Sequence, residues 1–361
     1  ICQERTKRQT QCFLMDPTPQ DKPVATLADV ARHANVSTAT VSRCLNSPDQ
    51  VVGRTRERVM QAVRDLGYTP NFSARALAAK QTNTVGAVIP TMENAVFARG
   101  IQAFQEELGR HGKTLLIASS GYKEALEEEQ VRALVARGAD ALLLIGYHRS
   151  PELYAFLRQR SVPTLVSWSY DPAQDQPAMG FDNKAAMAEL ARLALRHGHR
   201  EIACISAPLA STDRARDRVE GIRLAMAEAG LDPFGLILTE VPYGIGQGEV
   251  AFRTALAAAP DTTLVMCGND VLALGALRAA REMGLSVPLD VSVTGFDDIE
   301  LAMLAEPALT TVHVPHREMG RRAANTLIQM LNTGETPASV ALPTDIRVRQ
   351  SLGPPRQETG L

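Results

Sequence analysis

Aromatic side chains make up only 4% of this 361-residue chain, and tryptophan occurs once. No apolar run approaches the roughly 20 residues that cross a bilayer. Nothing near the start resembles a secretory signal, so a cytoplasmic location is expected. Cys2, Cys12, Cys44, Cys204 and Cys267 are five, an odd number without metal-ligand spacing, which fits reduced cytosolic thiols. GxSxG, HExxH and P-loop strings are missing, so catalysis has no support and neither a cofactor nor a metal is expected. GIGQG (244–248) is a partial glycine fingerprint, but Glu249 replaces its final glycine and no acidic ribose partner follows. His197 and His199 lack a third ligand and read as a helix end leading into a strand.

Charge is scarce in total and uneven in place. The formal net charge is −2, yet residues 22–82 hold nine Lys/Arg against four Asp/Glu. With residues 1–21 balanced at three of each sign, the rest carries about −7. A basic head on an acidic body is the footprint of nucleic-acid binding confined to one end.

TLADVARHANVSTATVSRCLN (26–46) reads as two short helices joined by a tight turn. Thr26 and Asp29 have capping-box spacing, Asn35 tolerates a left-handed turn, and Ser37 caps the second helix. Val36 plugs the angle between the helices, and Val41 and Leu45 point inward. Thr38, Ala39, Ser42 and Arg43 are thereby left outward, as on a recognition helix in a major groove. Two capped amphipathic helices are common in proteins that never touch DNA. A third helix strengthens the DNA reading, with Thr55 as its expected cap, Val59, Ala62, Val63 and Leu66 at helical spacing, and Gly67 as its stop.

From Val85, apolar runs alternate with helical stretches. VGAVIP, KTLLIAS, ADALLLIG and PTLVSW form one series of buried strands; EIACISA, LILTE, TTLVMCG and VSVTGFD form a second. Helices are expected near 97–111, 123–137, 150–160, 183–197, 213–229, 247–259 and 270–283. The pattern implies two lobes, each a doubly wound parallel α/β sheet, with ligands taken beyond the carboxyl ends of the strands.

TLADVARHANVSTATVSRCLN, GYTPN, ARALAAKQTNTVGAVIP, GHREIA, CGNDVLALGALRA, VSVTGFDD and PALTTVHVP resemble, in colinear order to about residue 350, the lactose-repressor (LacI/GalR) family of bacterial transcription regulators. NAVFA, SGYK and GFDN are most similar to its gluconate-operon members. The resemblance implies an α/β fold with an N-terminal three-helix helix-turn-helix head, a hinge helix, and a two-lobed periplasmic-binding-protein-like body. Residues 1–24 are then a disordered or non-native lead-in, with 1–14 upstream of a natural start at Met15 or a disordered tail. Residues 25–70 are the head, 71–83 the hinge helix and linker, 84–350 the effector-binding and dimerisation body, and 351–361 a flexible tail. The segment TTVHVP is expected to cross back to the first lobe.

The implied function is a repressor, not an enzyme, that binds pseudo-palindromic double-stranded operator DNA as a homodimer. A small effector, a sugar or sugar acid, switches it from the cleft between the lobes. Family members respond to effector in both directions, so the sign of the switch is not in the sequence. On the DNA side the residues are Thr26, Leu27, Thr38, Ala39, Ser42, Arg43, Asn46, Thr55, Asn71 and Leu77. Arg43 has the fork that fits guanine O6 and N7, and Thr38 and Ala39 are short enough to touch a thymine methyl. Ser42, Asn46 and Thr55 are placed on phosphates. Residues 71–79 are too short a helix to persist alone, and Leu77 is carried over as the minor-groove wedge.

Effector contacts are expected at Asp297, Asn269 and Arg218, whose paired donors and acceptors suit hydroxyl groups. Each also reads as a cap or an ion-pair member. Thr91, Asn94 and Phe97 follow the first strand and Tyr122 the second, while Trp168 and Tyr243 offer stacking faces. Phe97 and Trp168 read equally well as core. Lys123, His148 and Arg149 are placed to meet a carboxylate. The rival reading, a periplasmic-type solute-binding protein without a DNA role, explains the body and leaves the basic head unused.

Overall fold

The computed structural model describes residues 25–46, 48–69, 81–93 and 95–356, apart from the side chains of Asn46 and Pro48. The lead-in, the hinge segment with Asn71 and Leu77, and Asn94 lie outside these residues. The described residues fall into two units, within 1–79 and 80–361.

In the first unit, helices α1 (Leu27–His33), α2 (Thr38–Asn46) and α3 (Gly53–Leu66) enclose Val30, Ala31, Ala34, Val41, Cys44, Val59 and Ala62. The capping box forms: Asp29 N–H donates to Thr26 Oγ1 at 3.3 Å, and Asp29 Oδ2 accepts from Thr26 N–H at 2.9 Å. Asn35 turns the chain at φ 49°, and Ser37 Oγ accepts from Thr40 N–H at 3.1 Å. Gly67 ends α3 at φ 59°, in the left-handed conformation that glycine enters without a Cβ penalty. Thr55 does not cap α3. The helix begins two residues earlier, behind Val52, which offers no side-chain acceptor.

The second unit contains two sheets. β1 (Thr84–Ile89), β2 (Thr114–Ser119), β3 (Ala141–Ile145), β4 (Thr164–Ser167), β5 (Ala178–Gly180) and the short β11 (Val340–Ala341) make the first, in the order β11-β5-β4-β3-β1-β2, all parallel. β6 (Ile202–Ser206), β7 (Ile237–Glu240), β8 (Leu264–Cys267), β9 (Ser292–Asp297), β10 (Thr310–His313) and β12 (Asp345–Arg347) make the second, in the order β12-β10-β9-β8-β6-β7, with only β12 antiparallel. Central strands buried on both faces are continuous apolar runs, which is why they were legible without alternation.

Helices α4 (Ala95–Arg110), α5 (Glu124–Ala136) and α6 (Pro151–Gln159) connect the first sheet. α7 (Asn183–Arg196), α8 (Asp213–Glu228), α9 (Ile245–Ala258), α10 (Asp270–Glu282) and the short α11 (Glu300–Leu304) serve the second. α12 (His316–Thr333), which periodicity alone did not single out, packs on α4. Their backbones meet at glycines: a Cβ on Gly320 would lie 1.9 Å from the Gly100 carbonyl oxygen.

The chain crosses between lobes three times, between β5 and α7, between β10 and α12, and between β11 and β12. TTVHVP therefore returns only at its end. Residues 310–313 form β10 beside β9, a second-lobe strand by its four-residue register, and Val314 and Pro315 carry the chain back to the first lobe. Nor do residues 351–356 form a flexible tail. Ser351 is fully buried, its Oγ donating to Val293 O at 2.6 Å and accepting from Thr310 N–H at 2.8 Å. Residues 357–361 lie outside the described set.

Candidate functional site

On the head, Thr38, Ala39 and Arg43 are exposed and Ser42 half-exposed along one side of α2, while Val41 and Cys44 are buried on the other. Arg43, Arg54, Arg56 and Arg58 are exposed, with no acidic ion-pair partner among the described residues. Arg32, in contrast, pairs with Asp29 at 3.0 Å. The Thr26 hydroxyl donates to Asp29 at 2.6 Å, and Leu27 packs against the head core, so both also hold α1 in place. Thr55 is half-buried on α3, and Asn46 ends α2.

In the body, the carboxyl ends of the strands converge on a cleft between lobes. Three non-glycine residues there hold positive φ: Tyr122 (59°) beyond β2, Trp168 (59°) beyond β4, and Asp297 (107°) at the end of β9. Such backbone is costly for side chains of this size and persists only where the surroundings impose it.

Phe97, Tyr122, Trp168, Arg218, Tyr243, Asn269 and Asp297 line one inner cavity of about 20 Å³, together with Val96 and Arg214. Seven of the nine expected effector residues thus meet at one place. Thr91 lines an outer cavity of about 630 Å³ instead, and its hydroxyl accepts from Glu93 N–H at 3.1 Å. Tyr122 and Tyr243 line both cavities, and their rings lie 5.5 Å apart. Burial raises both phenols, so each is a neutral donor at physiological pH.

The walls differ in chemistry. The first lobe supplies rings: Phe97 and Trp168 are 5.5 Å apart, and both are buried, so their core and lining readings hold together. The second lobe supplies polar groups. Arg218 is clamped, its Nε donating to Asn183 Oδ1 at 2.9 Å, its Nη1 to Gly268 O at 2.5 Å, and its plane lying 3.7 Å over Phe296. Asn269 spends its carbonyl capping α10 (Leu272 N–H, 2.9 Å), which leaves the amide as its donor. Asp297 Oδ1 lies 3.5 Å from Arg218 Nη2 and has no hydrogen-bond partner among the described residues. Desolvation pushes the Asp297 carboxyl from 3.8 up to about 6, against the pull of Arg218 and Arg214. The Trp168 indole N–H is also buried without an acceptor among the described residues. Buried polar atoms are rarely left unpaired, and a donor and an acceptor orphaned on the two walls of one cavity mark a polar ligand.

Arg149 does not meet a ligand. It is buried and holds Glu127 at 2.7 Å, the carbonyls of Gly146 and Ile145, and the Tyr154 hydroxyl. Arg214, which sequence reasoning passed over, lines the inner cavity and the one beside Lys123 and His148 from the other lobe. Its only visible signal was a second arginine one helical turn before Arg218. GIGQG serves helix packing: a Cβ on Gly248 would lie 2.2 Å from the Leu272 carbonyl oxygen. His199 is likewise internal, bonded to Thr263 Oγ1 at 2.9 Å and Gly353 O at 2.8 Å.

Residues 26–71 match the family described as bacterial regulatory proteins, lacI family, and residues 191–352 match a periplasmic binding protein-like domain. The HTH-type transcriptional repressor CytR of Escherichia coli (strain K12) is 32% identical over 308 residues, 85% of this chain and 90% of CytR. The lac repressor dimer bound to operator and the anti-inducer ONPF superposes with a TM-score of 0.80 at 26% identity, covering 91% of this chain and 99% of that one. The transcriptional regulator CelR in complex with cellobiose gives 0.66 at 30% identity, with the same coverage.

Proposed function

As the chain belongs to the lacI family of bacterial regulatory proteins, and is a DNA-binding transcriptional regulator and not an enzyme, we propose that it represses from an operator under control of a sugar or sugar acid held in the interlobe cleft. The observation that carries the effector reading is the inner cavity, with aromatic rings on one wall and Arg218, Asn269 and the orphaned Asp297 carboxylate on the other. Rings cover the apolar faces of a sugar, and the polar set matches hydroxyls that both donate and accept. CelR, a structural relative, is bound to cellobiose.

In this reading Arg43 reads a guanine, Thr38 and Ala39 approach thymine methyls, and Ser42, Asn46 and Thr55 fix register on phosphates. Asn71 and Leu77, outside the described residues, contact DNA in this reading, and two protomers share one operator; the lac repressor is a dimer bound to operator. An inner cavity of about 20 Å³ holds little more than a water, so a sugar enters only when the lobes separate about their three crossings. Effector binding then favours one lobe arrangement, and the affinity difference between arrangements shifts operator occupancy. In this reading the protein works in the cytoplasm, on its operator DNA. The solute-binding alternative leaves the three-helix head without a task.

An electrophoretic shift on DNA upstream of the chain's own gene, repeated across a panel of sugars and sugar acids, tests the proposal. A shift that one panel member releases or tightens supports it; specific binding that no small molecule alters would refute the effector half.

A further inference from the structure

We propose that Arg214 receives a carboxylate, so that the cleft selects an open-chain sugar acid over the matching neutral polyol; this rests on the cleft being the effector site. Two cavities meet at Arg214 and Tyr122. One is the inner cavity with Asp297, Asn269 and Arg218; the other, about 180 Å³, is lined by Lys123, His148, Glu124 and Asp213, among others. A chain of hydroxylated carbons can lie from the first into the second, its hydroxyls on the inner polar set and its end group beside Arg214.

The charges in these walls are not equally available. Asp213 is fully used, with Oδ2 accepting Tyr147 N–H at 2.5 Å and Oδ1 accepting Arg214 N–H at 2.8 Å and Nη1 at 3.2 Å. Glu127 is committed to Arg149 at 2.7 Å, and Glu124 lies 4.0 Å from His148. Arg218 gives Nε to Asn183 and Nη1 to Gly268, and its charge already faces Asp297 at 3.5 Å. Arg214 is different. It is 7% exposed, yet among the described residues only its Nη1 has a protein acceptor, so Nε and Nη2 keep donors in the fork that fits a carboxylate. Lys123, exposed on the opposite wall, has no acidic ion-pair partner among the described residues and adds a second positive charge. Asp213, the anchor of Arg214, also reaches across the cleft, since it belongs to the second lobe and Tyr147 to the first. A carboxylate on Arg214 is thereby bound at the seam that closes.

The test is intrinsic fluorescence of the full-length protein, with Trp168 as sole tryptophan and a cavity wall, titrated with sodium D-gluconate and with D-glucitol, which has CH2OH in place of the carboxylate. Galactonate and galactitol form a second pair. The expected result is that at least one aldonate binds ten- to a hundredfold tighter than its alditol, roughly the worth of one charge-assisted pair. Arg214→Gln should remove that preference by weakening the aldonate alone, and Arg214→Lys should restore part of it, with circular dichroism verifying both folds. Equal binding of acid and alditol, or a preference that survives Arg214→Gln, overturns the assignment of Arg214. In either of those cases, weakening of both ligands by Asp297→Asn would show that the cleft reading stands and only the Arg214 assignment falls. If no member of either pair binds at 10 mM, roughly the limit of a useful effector, both readings fall.

Discussion

Replacing Asp297 by asparagine should make the ligand-free protein more stable and the effector weaker. The carboxylate is 1% exposed, and its Oδ1 lacks a hydrogen-bond partner among the described residues. Raising its pKa from 3.8 to about 6 means that folding disfavours the charged form by about 3 kcal/mol. Below pH 3.8 the group is protonated in both the folded and unfolded states and costs nothing. As pH rises toward about 6 the unfolded chain ionises first, so stability falls, and above pH 6 the full penalty is present. Asparagine mimics the protonated form. Asp297→Asn should therefore match the parent near pH 4 and exceed it above pH 6 by up to about 3 kcal/mol. Arg218 is not stranded by the change, because Asn183 and Gly268 still accept from it at 2.9 and 2.5 Å. Asp270, whose own carboxyl is raised by burial first and by Asp297 second, gains as well. The same substitution removes a charge-assisted acceptor from the ligand, about 1.5–3 kcal/mol, or roughly ten- to a hundredfold in affinity. Urea unfolding at pH 4 and 7.5, paired with calorimetry on the tightest-binding sugar of the panel, measures both. A variant less stable than its parent at pH 7.5 would show that the Arg218–Asp297 pair is net stabilising and sink the argument.

Arg43→Ala should cost about 1–3 kcal/mol at one symmetric base pair per half-site, with weak non-specific binding retained; selection from random operators reads this, and an unchanged preference removes Arg43 as reader. Arg56→Ala, on α3, should lower affinity less and for all sequences alike. Gly320→Ala should destabilise the body by about 3 kcal/mol or more, because the new Cβ meets backbone 1.9 Å away, outweighing the roughly 1 kcal/mol that alanine offers a helix; a thermal midpoint at or above the parent's would contradict this. Thr26→Ala should cost about 1 kcal/mol through the capping box, visible as faster amide exchange along α1; unaltered exchange would mean that packing of Leu27 and Val30 holds the helix alone.

Much of this protein was legible because its signals are local. Capping residues, Asn35 and Gly67 state where the head helices begin and end within a few residues, and α2 declares its inner face by spacing. The strands of both lobes are uninterrupted apolar runs, and cavities in such folds lie beyond their ends, so Tyr122, Trp168, Asn269 and Asp297 could be picked out by position as lining residues. The misreadings have a common cause. Thr55 looked like a cap because its type fits, but α3 starts where packing lets it start. How much of TTVHVP stays in the second lobe was missed, and residues 351–356 were left to solvent, because both are settled by strand neighbours far away in sequence.

The order and type of the elements, the polar face of α2 and the residues at the strand ends were written in the sequence, since helix periodicity, strand hydrophobicity and turn preference act over spans of a few residues. Which cations are free to meet a ligand was decided only in three dimensions. Arg149 and Arg214 are both arginines close to strand ends or helix starts, yet Glu127 and two carbonyls take both terminal nitrogens of the first, while Asp213 divides its oxygens between the other lobe and the second. A side chain's availability depends on the partners that folding brings to it and to its neighbours: Glu127 reaches Arg149 from 22 residues away, and Tyr147 engages Asp213, the acceptor of Arg214, from 66.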